Sequence, residues 1–506
     1  MDIATLVTFI VYLLGMLAIG IIMYFRTNDL SDYVLGGRSL GPGVAALSAG
    51  ASDMSGWLLL GLPGAVYASG LSETWIAVGL AIGAYLNWQF VAKRLRVYTE
   101  VAEDSLTIPD FLEHRFKDKS HILRVISALV ILLFFTFYTS SGMVAGAKLF
   151  EASFGLSYQS ALWIGAIVVV SYTLLGGFLA VSWTDFIQGS LMFLALIVVP
   201  IVALNNMGGW NAAVDAVGQI NPQHLNMIEG VGVLAIISSI AWGLGYFGQP
   251  HIIVRFMALR SAKDVPMARF IGTTWMIVGL YGAIFTGFVG LAFISTQDVN
   301  MLGEFGIRVV NENGLQMLAD PEKIFIAFSQ ILFNPIVAGI LLAAILSAIM
   351  STIDSQLLVS SSALAEDFYK AIFRKEASDK ELVWVGRVAT VAIALIAAII
   401  AMNPESSVLE LVSYAWAGFG AAFGPIILLS LFWKGATRNG ALAGIIVGAA
   451  TVVIWGTYLS GGIFDLYEIL PGFLFNLVVT VLVSMAGKPS TDMEDEFDET
   501  IAKLNE

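Results

Sequence analysis

AWGLGYFGQP, residues 241–250, places Gly243, Gly245 and Gly248 at the spacing of a dinucleotide-binding fingerprint. That fingerprint belongs to a βαβ unit and needs a strand before it. Here the flanks are VGVLAIISSI and HIIVRF, and the first reads as helix inside a long apolar segment. The three glycines and the proline therefore need another reason. In a bilayer they release backbone N–H and C=O groups that lipid cannot satisfy. Such a break survives where it lines a cavity, or where small residues let two helices approach closely.

The rest of the chain resembles that segment in composition. Its 506 residues are 58% hydrophobic and 12% charged, with a mean hydropathy of +0.83. Soluble domains carry about 25% charged residues. Apolar runs recur along the chain, and many reach the ~20 residues that a helix needs to cross a bilayer. The fold class is all-α and polytopic, embedded in a lipid bilayer. The short alternating segments of a membrane barrel are missing. There are no cysteines, which excludes disulfides and thiolate chemistry. His114, His121, His224 and His251 are scattered, and neither HExxH nor a Walker motif occurs. An enzyme is not expected, nor is a nucleic-acid partner.

The apolar runs divide into about 13 spans, near 5–25, 40–67, 72–92, 122–149, 159–178, 181–204, 231–255, 270–295, 325–360, 383–402, 407–432, 439–459 and 465–487. The first span has no basic start before Arg26 and reads as a retained helix, not a cleaved signal. With the N-terminus outside, 22 of the 25 Lys and Arg fall on the inside, Arg255, Arg260 and Arg269 among them. Only Lys148, Arg308 and Lys323 fall outside. The positive-inside rule then sets N-out and C-in. One transporter domain, 1–488, is expected. It comprises an extra helix (5–25), a first repeat (40–204), a second repeat (231–432) and two further helices (439–487). An acidic cytoplasmic tail, 489–506, is expected to be solvated and flexible.

Span 2 is also interrupted. GPGVAALSAGASDMSGWLLLGLPGAVY (41–67) carries Asp53 among Ser52, Ser55 and Gly56 near its middle. A carboxylate at that depth costs about 2.5–3.5 kcal/mol and is a functional candidate by default. Its competing role is structural, satisfied by neighbouring helices. Spans 2 and 7 each open a bundle of five. Paired interruptions at matching places in two halves point to a secondary transporter of inverted repeats, with its sites at the breaks. On that reading the glycines of span 7 form a hinge and an opening. In span 9, Ala348, Ser351, Thr352 and Ser355 share one helical face. Two hydroxyls with a carbonyl a turn earlier suit a hard cation, although Ser and Thr also pack helices.

LSAGASDMSGW, FFTFYTSSGM, GGFLAVSWTDF, WGLGYFGQPHIIVRFMA, ILSAIMSTIDSQLLVSSSALAEDFYKA and SYAWAGFGAAFGP together resemble the sodium/solute symporter family, closest to its proline-transporting branch. The likeness runs over residues 5 to 488. It implies 13 helices with a 5+5 inverted-repeat, LeuT-like core in the plasma membrane. It further implies uptake of L-proline with Na⁺, the co-transported ion. The implied sodium ligands are the carbonyls of Ala51, Met54 and Ala348 and the hydroxyls of Ser351 and Thr352. Asp53 matches the acid required for Na⁺ coupling, by direct binding or by organising the site. Ser55 and Gly56 match positions linked to both ligands. The implied proline pocket involves Tyr138, Trp242, Tyr246 and Pro250, whose competing role is membrane packing.

Arg38 matches a position tied to coupling and also suits a positive-inside anchor. Asp185 matches an acid that helps form a second sodium site in some members. A helix cap facing the cytoplasm is its other reading. Asp354 has two placements, behind the sodium face or in the cavity. Two alternatives to proline uptake stand. The same machine could carry a betaine, pantothenate or a short carboxylate. A non-transporting sensor would bind solute only, but the 19 residues after the last span are short of a signalling domain.

Overall fold

The structure is a computed structural model that describes residues 3–25, 30–174, 177–297, 302–303, 307–312 and 315–505. Arg26, which marks the first basic residue, lies outside them. Helices cover nearly all of the described chain. They are α1 (Ile3–Tyr24), α2 (Pro42–Asp53), α3 (Leu62–Ser69), α4 (Thr74–Leu86), α5 (Ala92–Val101), α6 (Ile122–Phe154), α7 (Tyr158–Thr173), α8 (Phe178–Asn206) and α9 (Val233–Ala241). There follow α10 (Pro250–Met257), α11 (Val265–Thr296), α12 (Pro335–Ser362), α13 (Asp379–Ile400), α14 (Val408–Phe432), α15 (Arg438–Tyr458), α16 (Ile469–Ala486) and α17 (Thr491–Leu504). A two-stranded antiparallel hairpin, Val309–Glu312 with Leu315–Leu318, lies in the connection before α12.

Among the described residues, ten helical runs are long and apolar enough to cross a bilayer, or eleven if the bent pair Val233–Gly248 and Pro250–Met257 is one span. Among the described residues the segments read as spans are largely helical, although Tyr158–Thr173 is short for a span and Trp57–Val101 is one continuous helical run. α12 and α14 form the buried centre, whereas α1 and α13 expose Ile, Leu and Val along one side. In a bilayer that exposure is the lipid-facing surface.

Both interruptions are present, and each has a local cause. α2 stops at Asp53 because Met54 turns to φ −81°, ψ 68°. Ser52, Asp53 and Ser55 can bond to nearby backbone, which favours leaving the helix. A single π-helical turn, Trp57–Gly61, then leads into α3. α9 ends at Ala241, the chain tightens into a 3₁₀ turn over Trp242–Gly248, and Gln249 is extended before Pro250 opens α10. Proline fits the first helical turn and disfavours helix in the residue before it. The bend is 44°.

Two expectations are corrected, and the glycines of span 7 gain a packing role. None of Gly243, Gly245 and Gly248 has a positive φ, so the break itself does not draw on the left-handed freedom of glycine. A Cβ on Gly243 would collide with the Gly79 carbonyl, on Gly245 with the Trp416 ring, and on Gly248 with the Phe419 carbonyl. The glycines allow backbone-to-backbone crossing. Span 9 does not start at 325. A short helix, Ile324–Ile331, precedes a break, and α12 begins at Pro335 with the Asn334 side chain accepting from the Val337 N–H. The tail is not free either. α17 is capped by Ser490 and buries Met493 and Phe497, an i, i+4 pair hidden within its acidic composition. Phe497 meets Tyr98 edge to face, Glu496 pairs with Lys117, and Lys434 reaches Asp498 at 2.6 Å.

Candidate functional site

The last turn of α2 leaves carbonyls without helical partners, and a helix C-terminus carries a partial negative charge. The Ala51 carbonyl faces α12. It lies 2.8 Å from Ser351 Oγ and 3.3 Å from Thr352 Oγ1, and Ser351 Oγ lies 3.3 Å from the Ala348 carbonyl. All four residues are buried. Four of the five oxygens assigned to sodium therefore converge across two helices. The fifth, on Met54, belongs to the residue that ends α2, and its N–H closes the last turn on Gly50 at 2.8 Å. An oxygen-only set of this kind suits a hard cation.

Asp53 faces the other side of the break. The Tyr246 hydroxyl donates to Asp53 Oδ2 at 2.5 Å, while Asp53 Oδ1 is buried with no protein partner. The Asp53 carbonyl accepts from Trp57 Nε1 at 3.0 Å and from the Tyr138 hydroxyl at 3.3 Å. Ser55 accepts from the Trp57 N–H at 3.3 Å, and a Cβ on Gly56 would strike Ala145. Asp53, Ser55, Tyr138 and Tyr246 are thus one assembly at the meeting of the two breaks.

Trp242 adds the aromatic wall. Its ring centroid lies 5.3 Å from Tyr467, 6.3 Å from Trp57 and 6.4 Å from Trp416. Tyr246 packs edge-on to Trp416 at 5.0 Å, and the Trp416 indole donates to the Trp242 carbonyl at 2.7 Å. Pro250 is not brought to Asp53. It lines a separate small cavity with Ile131, Val254 and Leu358. The cavity beside Asp53, Met54, Asn87 and Tyr246 holds about 20 Å³, room for about one water. The rings fill the break in this arrangement, so an amino acid enters only when they separate.

Several residues of the assembly were not singled out in the sequence. Trp57 and Trp416 stand within quoted motifs, yet nothing in their spacing marks them as wall residues. Asn87 donates to the Tyr246 carbonyl at 2.9 Å and holds the second break. Arg255 corrects an expectation. Counted as an inside surface charge, it is 1% exposed and bonded to Asp185, Ser48 and Ser355. Asp185 stands two turns inside α8 and is fully buried, so it caps no helix. Asp354 is buried beside Ser355. Arg38 ties the segment beyond α5 to the end of α10, donating to the Met257 carbonyl at 2.8 Å and to Asp104 at 2.9 Å.

A recess of about 800 Å³ lies away from both breaks. Several of its charges are paired: Lys148 with Glu322 at 2.6 Å and Asp320 at 3.0 Å, and Lys323 with Glu151 at 2.7 Å. Glu322 also accepts from the N–H groups of Val408 and Leu409, each at 3.1 Å, at the start of α14.

Residues 33–448 match the sodium:solute symporter family. The sodium/proline symporter of Escherichia coli is 55% identical over 498 residues, covering 98% of this chain and 96% of that protein. The high-affinity proline transporter PutP of Bacillus subtilis is also 55% identical, covering 96% and 98%. The osmoregulated proline transporter OpuE of the same organism is 52% identical, covering 96% of each. Among solved structures, a Na⁺-coupled sialic acid symporter in a substrate-bound, outward-open state superposes with a TM-score of 0.76 at 17% identity, covering 96% of this chain and 99% of that one. Mhp1, a nucleobase-cation-symport-1 family transporter in a closed conformation, gives 0.55 at 14% identity, covering 94% and 99%. At that identity the likeness concerns the fold alone, and it is the helical transporter fold described above. The family match spans most of the chain and the curated relatives span nearly all of it: the chain is a member of the sodium:solute symporter family.

Proposed function

We propose that this chain imports L-proline together with Na⁺ across the plasma membrane by alternating access. The observation that carries the reading is the convergence of Ala51, Ala348, Ser351 and Thr352 beside Asp53 and its tyrosines. One side of the break is an oxygen cage and the other is an aromatic pocket. Relatives over half identical along nearly the whole chain are named proline transporters, which favours proline over a betaine, pantothenate or a short carboxylate.

The architecture assigned to this activity has 13 spans, with residues 1–488 as one transporter domain. Spans 2–6 (40–204) and 7–11 (231–432) form inverted repeats of five, flanked by 5–25 and 439–487. Residues 489–506 form the inside tail. The N-terminus is outside, as the distribution of Lys and Arg supports. The 800 Å³ recess holds Lys148, Arg308 and Lys323, the three cations assigned to the outside, and is read as the outer vestibule. Na⁺ binds Ala51, Met54, Ala348, Ser351 and Thr352 and so joins the repeats, with Asp53 organising coupling. Joining them stabilises the arrangement of Ser55, Gly56, Tyr138, Trp242 and Tyr246 that takes proline. Pro250 acts from behind by placing α10.

Energetically, one charge crossing 100 mV yields about 2.3 kcal/mol, and a tenfold Na⁺ gradient adds about 1.4 kcal/mol. One Na⁺ per net-neutral proline then sustains a gradient on the order of several hundredfold. Competition in proteoliposomes tests the substrate. Excess L-proline should abolish Na⁺-driven uptake of labelled proline while betaine and pantothenate leave it unchanged. Competition by those solutes and none by proline would transfer the site to another substrate.

A further inference from the structure

Ser48 and Ser52 lie on α2 within a turn of Ala51, and Ser355 lies one turn beyond Ser351 and Thr352 on α12. The two helices therefore face each other with oxygens at a second level. Ser52 Oγ is 3.0 Å from Ser355 Oγ. Asp185 Oδ2, from α8, accepts from Ser48 at 2.7 Å and from Ser52 at 3.1 Å. One carboxylate and three hydroxyls make an oxygen-only set, the kind that takes a hard monovalent cation. A cation already occupies it. The Arg255 guanidinium comes in from α10, with Nη2 3.2 Å from Asp185 and 2.7 Å from Ser355, and with Nε 3.1 Å from Ser48. Its Nη1 donates to the His251 carbonyl at 2.6 Å, which anchors it to its own helix.

We infer that Arg255 is a tethered cation filling a second, oxygen-lined site, and that this is what limits the transporter to one Na⁺ per cycle. The inference rests on the Na⁺-coupled transport reading above. α2 and α12 are joined at one level by an ion from solution and at the next by a charge that belongs to the protein. The tether is on α10, behind the second break, so the built-in cation travels with that half of the molecule and is never released. Asp185 is then the counter-ion of Arg255 and not a ligand of transported sodium. Asp185 Oδ1 and Asp354 Oδ2 are both buried without a protein partner, so the pocket has spare acceptors for an ion once the guanidinium is removed.

The test uses the full-length protein purified with lipid. Radiolabelled Na⁺ bound per protein is counted at saturating proline, and Na⁺ activation of proline uptake is followed in proteoliposomes. Wild type should bind one Na⁺ and activate hyperbolically. Arg255→Met should bind a second Na⁺ and activate sigmoidally, and Asp185→Asn/Arg255→Met should return to one ion and a hyperbola. An Arg255→Met protein that still binds one Na⁺ would overturn the inference. So would a wild type that binds two, or a double variant that keeps the second ion. Should Arg255→Met fail to fold, the double variant decides: folding and hyperbolic uptake support the counter-ion role, and failure to fold refutes it. If wild type binds one Na⁺ but does not carry proline, the substrate reading falls and the ion count still tests Arg255.

Discussion

Thr352→Val isolates one ligand of the sodium cage. Valine keeps the branched shape of threonine and removes only the hydroxyl, so packing at this buried position changes little. The Thr352 hydroxyl donates to the Ala51 carbonyl at 3.3 Å, long for an O–H···O bond, whereas Ser351 Oγ donates at 2.8 Å. Losing the loose hydrogen bond should cost the ligand-free fold less than about 1 kcal/mol. The ion loses more, because a contact to a charged group is worth about 1.5–3 kcal/mol. The difference, about 0.5–3 kcal/mol, predicts an apparent Na⁺ affinity lower by about two- to a hundredfold, since each 1.4 kcal/mol is a factor of about ten. Thermal stability without Na⁺ should stay close to wild type. The assay is proline uptake as a function of external Na⁺, with Thr352→Ser, which restores the oxygen, alongside. Half-activation at the wild-type Na⁺ concentration in Thr352→Val would refute the assignment of this hydroxyl to the ion.

Other perturbations probe the frame around the site. A Cβ on Gly83 would enter the backbone of Gly243, so Gly83→Val should lower thermal stability by more than the about 1–3 kcal/mol usual for overpacking. Gly146→Ala, which meets nothing within 4 Å, should be tolerated in the same melting experiment. Lys148→Met leaves the Glu322 carboxylate without its cation and should cost about 3–5 kcal/mol. Lys148→Met/Glu322→Gln should recover part of that loss in chemical or thermal unfolding. Phe497→Ser should detach α17 at a cost of about 3–5 kcal/mol. Protease should then cut within 487–490, while Na⁺-driven uptake continues.

The two breaks were legible because their causes are local. An acid with serines in mid-span, and Pro250 behind three glycines, disturb a spanning helix whatever surrounds it. The hydroxyl face of α12 followed from helical periodicity alone. What these features touch was not local. A 3₁₀ turn packed against Gly79, Trp416 and Phe419 looks the same in sequence as an open hinge, because glycine permits both. Arg255 stands near the end of a span, where an interior guanidinium and an inside anchor are written with the same letter. Only the packing of α10 against α2, α8 and α12 separates them. α17 was obscured by averaging. Its acidic composition describes a solvated segment, yet Met493 and Phe497 suffice to seat it when Tyr98 and Lys117 are opposite. Asn334 capping a proline start is a boundary signal within the sequence, and the apolar run across it hid that signal.

The most direct test of the central claim compares wild type with Asp53→Asn in proteoliposomes carrying an imposed inward Na⁺ gradient. The quantity measured is the initial uptake of labelled L-proline. The account predicts accumulation by wild type that vanishes when Na⁺ is replaced by choline, and a loss of about tenfold or more in Asp53→Asn. Equal uptake by the two proteins would remove Asp53 from coupling. Wild-type uptake indifferent to Na⁺ would contradict the account itself.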